Sequence, residues 1–207
     1  MTEHHEPVHH ITYGRERFGA FSDGVFAIAI TLLIIEVGVP HVEEGESLWR
    51  ALGDQWTQYL GYFLSFFLIG IMWANHHALF RDIRHLDHTL IVLNLFLLAS
   101  TAFLPFSTAL LAEYIRDSEH ATTAVVVYGL TVAVNAVFWS LIWHYARVVH
   151  PMLAEHVSEH RARARTWRYS VGLAAYVGVI PLAFLSPWIP IAAYFVLAAM
   201  FLLPQRD

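Results

Sequence analysis

Six stretches of this chain are apolar for long enough to cross a bilayer, near residues 18–38, 57–80, 89–112, 121–146, 168–186 and 189–204. A crossing takes roughly 20 mostly apolar residues, because a helix rises about 1.5 Å per residue through a hydrocarbon layer about 30 Å thick. Within lipid the backbone has to satisfy its own hydrogen bonds, so runs of this length form helices. Hydrophobic residue types make up 57% of the 207 residues and charged types 14%, a balance foreign to a soluble domain of this size. The chain is therefore expected to be all-α and polytopic. The last two spans are short, and Pro181, Pro187 and Pro190 shape them into a tight hairpin. Without cysteine, neither a disulfide framework nor a thiolate metal site is available.

No internal repeat is visible, so residues 16–207 read as one membrane domain. Residues 1–15 read as a disordered His-rich tail. His4, His5, His9 and His10 lie there with nothing to impose ligand geometry, and the tail lacks the basic-then-apolar order of a cleaved signal. All twelve basic residues are arginine, and their placement sets the orientation. Arg15, Arg17, Arg81, Arg84, Arg147, Arg161, Arg163, Arg165, Arg168 and Arg206 fall on one side. Arg50 and Arg116 fall on the other, among acids. Both termini are thus expected in the cytoplasm of a multi-pass cell-membrane protein. The segment 147–168 reads equally as a short amphipathic surface helix or as a solvated connector.

The first span carries an acid at each end, Asp23 and Glu36, and ionisable residues within a membrane are functional candidates. Its segment Arg17-x-x-x-Phe21-Ser22-Asp23 closely resembles the signature of the transmembrane-protein-175 family of potassium channels, in its short prokaryotic form. The end of the second span, Trp73-Ala74-Asn75-His76-His77-Ala78-Leu79-Phe80, is similar to that family too. So is the third span, with Asn94 and Phe103-Leu104-Pro105-Phe106-Ser107-Thr108. Animal members carry two six-helix repeats per chain and act as dimers. For a single repeat the resemblance implies a homotetramer, with four copies of the first helix around the pore.

At 100° per residue, Ile28, Thr31, Leu32 and Ile35 form one stripe of that helix. If the stripe faces the pore, as the resemblance implies, Asp23 lies roughly 140° from Ile28 and points into protein. An unpaired carboxylate there costs several kcal/mol, so it needs donors, and Arg17, Ser22, Trp73, Asn75 and His77 are at hand. With Phe21 this set reads as glue between helices or as a gating network in which a histidine titrates. No Thr-Val-Gly-Tyr-Gly filter is present, and Gly61-Tyr62 is only an echo of one, so selectivity has to come from side chains. A ring of Ile28 would act as a dewetting constriction, and Thr31 hydroxyls would replace water around potassium. Glu36 at the far mouth either concentrates cations or is neutralised by another helix.

The expected function is a leak-like potassium channel, with lipid, permeant potassium and further copies of itself as partners, and without cofactor, resident metal or nucleic acid. A proton-coupled secondary transporter using Asp23 and His77 is the alternative, although transporters generally show paired repeats and broken helices. A membrane enzyme with metal on His76-His77 and His85-x-x-His88 is a third reading, short of further ligands on facing helices.

Overall fold

A computed structural model describes residues 14–42, 44–149 and 152–202. The His-rich stretch up to residue 13, Glu43 and Arg206 lie outside the described residues. The helices are α1 (Arg15–Val37), α2 (Leu48–Asp54), α3 (Trp56–Arg81), α4 (His88–Ala102), α5 (Leu104–Tyr114), α6 (Ala121–His144), α7 (Glu159–Val179) and α8 (Trp188–Leu202). Five stretches have the length and hydropathy to span a membrane: α1, α3, α4 with α5, α6 with the π-turn Tyr145–Val149, and α7 with the 3₁₀ turn Ile180–Phe184. The sixth apolar run, Trp188–Ala199, is shorter. The chain is all-α and polytopic, as its hydropathy predicts.

Two stretches depart from a hydropathy reading. The third span breaks at Phe103, between α4 and α5. Pro105 has no N–H to give to the carbonyl four residues back, and its ring crowds that turn, so the helix ends and restarts. Side-chain hydroxyls of Thr101, Ser107 and Thr108 bond to carbonyls of Leu97 and Leu104 around the break. The helix of the fifth span, α7, begins at Glu159, well before the apolar run near 168. Ser158 caps it by accepting from Arg161 N–H, and the Arg- and Ala-rich turns that follow are good helix formers despite their polarity.

α1 packs against α3, α4 and α5, whereas α6 packs against α4, α5, α7 and α8. Buried polar groups stitch these helices together. Asn135 of α6 donates to Ser100 (2.9 Å) and Thr101 (2.8 Å) of α4 and accepts from Trp139 (3.0 Å). Ser65 of α3 meets Thr108 of α5 at 2.6 Å and Tyr128 of α6 at 3.1 Å. At Gly61 of α3 an added Cβ would sit 3.2 Å from Thr108 Cγ2, so glycine lets α5 approach.

The two ends of the bundle differ in charge. At one end Arg15 donates to the carbonyls of Phe80 and Arg84, and Arg84 N–H donates to Met152 O (2.7 Å). Asp82, nearly buried, holds Arg165 at 2.8 Å and His156 at 3.0 Å. At the opposite end Gln55 donates to Val37 O and Arg116 to Asp54 O, while Trp56 stacks on Trp188. The described arginines thus divide between the ends as charge counting predicts.

Candidate ion pathway and its supporting network

The docked face of α1 is narrow: Ser22, Phe26, Ala29 and Leu33, spaced i, i+4, i+7 and i+11, are its buried residues. Ile28, Thr31, Leu32 and Ile35 all lie on the face turned away from the bundle, with Ile28 61% and Ile35 68% exposed. Phe21 and Ile34 are exposed as well, so this bare apolar face is broader than the four-residue stripe. Thr31 donates its hydroxyl proton to Ile28 O at 2.9 Å. With the donor used inside its own helix, the oxygen offers only lone pairs outward, and that is the polarity a cation requires. Glu36 is exposed one turn beyond Leu32, just before α1 ends at Gly38, whose φ of 64° suits glycine.

Around the other half of α1 the contacts run as follows. His76 Nε2 lies 2.8 Å from Asn94 Oδ1, Asn94 Nδ2 donates to Ser22 Oγ at 3.1 Å, and Ser22 donates to Phe18 O at 3.0 Å. Because Asn94 Oδ1 can only accept, His76 is the donor and carries its proton on Nε2. All three side chains are buried, joining α3, α4 and α1 in one chain of hydrogen bonds. Phe18, Phe26, Phe80 and Trp139 enclose the imidazole.

Of the residues expected in one network, the structure pairs Asp23 with Trp73 and bonds Ser22 separately, to Asn94. Trp73 Nε1 donates to Asp23 Oδ1 at 2.9 Å, in an exposed position. His77 is exposed and has no hydrogen-bond partner among the described residues; it lines an open pocket that also touches Asp23 and Arg15. Arg17 is likewise exposed without such a partner, and Arg15 makes the contacts to α3 instead. Asn75 lines an apolar cavity between α3, α6 and α7, away from Asp23. Sequence reasoning missed His76 as the buried histidine. Helical phase carries the signal: His76 shares the face of Met72, Leu79 and Phe80, whereas His77 follows Trp73 outward.

His76 and His77 therefore diverge, and among the described residues no group of three or more His, Asp or Glu converges as a metal would need. The sequence profile described as "Endosomal/lysosomal potassium channel TMEM175" matches residues 17–105, the part that contains both the α1 face and the His76 network. A protein of Streptomyces collinus named a potassium channel is 44% identical over 183 residues, covering 88% of each chain. The solved structure of a lysosomal potassium-selective channel TMEM175 homolog from Chamaesiphon minutus superposes with a TM-score of 0.82 at 37% identity, over 90% of this chain and 95% of that one. The endosomal/lysosomal proton channel TMEM175 of Gallus gallus is 35% identical over 159 residues, which is 70% of this chain and 32% of that protein.

Proposed function

Because the chain belongs to the TMEM175 family and is a potassium channel of that family rather than an enzyme, we propose that it is a leak-like homotetramer whose four α1 helices line a potassium-selective pore. The observation that carries this reading is the division of α1 into a docked face and a bare one. Ser22, Phe26, Ala29 and Leu33 anchor the helix to its own bundle, leaving Ile28, Thr31, Leu32 and Ile35 free to face three other copies. In such a ring Ile28 forms the constriction. An aliphatic ring too narrow for a hydrated ion restricts flow and penalises sodium most, since sodium holds its water more tightly. One turn on, four Thr31 oxygens replace lost water around potassium, and Glu36 at the mouth raises the local cation concentration. The arginine-rich end, with the start of α1, faces the cytoplasm, which sets both termini there in a cell membrane.

The His76–Asn94–Ser22 chain and the Trp73–Asp23 bond hold α1 in register, so that Ile28 and Thr31 keep their height in the pore. A side chain placed this way acts by position and needs no proton transfer. Planar bilayer recording with potassium on one side and sodium on the other tests the proposal. A reversal potential displaced toward that of potassium supports it, and one near zero removes selectivity from it.

Proton passage is a second reading, favoured by the name of the chicken relative. A relay through Asp23 and His77 gains little support, because Asp23 is bonded to Trp73 and His77 has no hydrogen-bond partner among the described residues. A reversal potential that follows a pH gradient under symmetrical potassium is the mark of proton current.

A further inference from the structure

The arginine-rich end of α6 and start of α7 border an open groove of ≈ 310 Å³ between the two helices. Its lining changes character with depth. On α6 and the π-turn after it, Arg147, His144 and Ser140 descend from the charged end at i, i−3 and i−7, and Val137 lies below them. On α7, Thr166 and Ser170 descend to Leu173. Charged and polar groups thus occupy the outer part and aliphatic ones the inner part. Leu141 and Val148 of the lining are exposed, and so are Trp167 and Val171, each next in sequence to a lining residue of α7, with Trp167 at 72%. Two membrane-spanning helices with such exposed apolar side chains border lipid, and a tryptophan at this level belongs to the interfacial belt.

Charge at the outer end is not balanced. Arg147 and Arg163 share the single carboxylate Glu159, at 2.7 and 3.1 Å. Glu155 is engaged with Arg84, and Asp82 with Arg165 and His156. Two guanidinium groups against one carboxylate leave a net positive mouth at the depth of the phospholipid headgroups. Arg147 is held there with only 19% of its side chain exposed, by Thr166 and by the carbonyl of Ala162 as well as by Glu159.

We propose that this groove is a binding site for one anionic phospholipid, whose phosphate sits between Arg147 and Arg163 and whose acyl chain follows Ser140 and Leu173 into the apolar part. The polarity gradient argues for a lipid over free phosphate, which has no use for the aliphatic floor. The surplus of guanidinium over carboxylate argues for an anionic headgroup over a zwitterionic one.

Native mass spectrometry of the purified full-length protein, with phosphatidylglycerol or phosphatidylcholine added, tests the site. Phosphatidylglycerol should be retained at least tenfold more strongly, and Arg163→Gln should weaken it by roughly fivefold, whereas Arg161→Gln, on the other side of α7, should leave it nearly unchanged. Ser140→Trp keeps every charge but fills the groove, and should abolish retention while leaving thermal unfolding close to wild type. Arg50→Gln at the opposite end should change nothing. Equal retention of both lipids overturns the proposal, as does phosphatidylglycerol retention that survives Ser140→Trp. Displacement of the bound species by millimolar inorganic phosphate alone overturns it in favour of a simple anion site. Loss of bound lipid on self-association shows instead that a second copy covers this face. The readout is lipid retention and needs no ion current, so it is separate from any failure of the pore reading.

Discussion

Thr31 spends its hydroxyl proton on Ile28 O, so in the proposed pore its outward oxygen can only accept. Thr31→Val keeps the shape while removing the oxygen, so we predict a lower potassium-to-sodium permeability ratio. A loss of about 1 kcal/mol in ion coordination corresponds to a drop of about fivefold. An unchanged ratio at normal current would locate selectivity in the aliphatic ring. Ile28→Asn adds polar ligands at nearly constant size and should wet the constriction, raising total cation current and bringing sodium closer to potassium. Ile28→Ala should raise current by widening instead. Leu33, buried against the bundle, and Ile30, partly buried against it, are the controls: changes there should affect expression or thermal stability and leave the ratio nearly constant. The opposite pattern, with Ile28 variants like wild type and Leu33 variants altered in selectivity, would place another face of α1 in the pore.

Between elements, buried polar bonds and close backbone approach do what hydrophobicity cannot, because lipid solvates an apolar helix as well as a neighbouring helix does. Asn94→Leu leaves the His76 N–H without its acceptor and should destabilise the α1–α3–α4 junction by about 1–2 kcal/mol. A melting temperature unchanged in detergent would dismiss the network as a stabilising element. Gly129 lets α6 meet its neighbours closely: a Cβ there would overlap the Tyr194 hydroxyl and come within 2.9 Å of Ile180 Cγ1. Gly129→Ala should therefore cost about 1–3 kcal/mol by overpacking. The Tyr194 hydroxyl is buried without a hydrogen-bond partner among the described residues, so Tyr194→Phe alone should be neutral or stabilising, and it should recover much of the Gly129→Ala loss. A double variant no better than the single one would assign the clash to Ile180.

At the scale of the molecule, one end of the bundle is tied together through Asp82. Its carboxylate holds α7 through Arg165 and the preceding loop through His156. Its carbonyl accepts from Ala154, and Arg15 of α1 caps the same α3 terminus at Phe80 and Arg84. The start of the proposed pore helix and the peripheral helix α7 thus meet on one short loop. Removing one partner of a nearly buried ion pair strands the other charge, so Asp82→Ala should cost about 3 kcal/mol. Arg84→Gln breaks only the exposed pair with Glu155 and should cost under about 1 kcal/mol. Thermal unfolding of the two variants in one detergent distinguishes them, and equal losses would mean that the Asp82 cluster is solvated. Chemical crosslinking of the wild type should yield a ladder ending at four chains; a ladder ending at two would refute the tetramer.

What the sequence by itself determined is whatever depends on local composition and period. Long apolar runs must become helices in lipid, arginine placement divides the two ends, and 100° spacing groups Ile28, Thr31, Leu32 and Ile35 on one face of α1. The motif around Phe21-Ser22-Asp23 was legible as well, and so was the family. Tertiary structure decided which donor meets which acceptor. Two adjacent histidines look alike as letters, yet α3 packing buries His76 against Asn94 and leaves His77 outside. Likewise Trp73 takes Asp23, and Arg15 rather than Arg17 reaches the end of α3. Helix limits at Phe103 and Glu159 also escaped hydropathy. One follows from a missing proline N–H, and the other from arginine-rich turns that remain helical outside the apolar run. A hydrogen bond between residues 18 or 72 positions apart depends on how helices rotate and slide against one another, and no local property of the chain encodes that geometry.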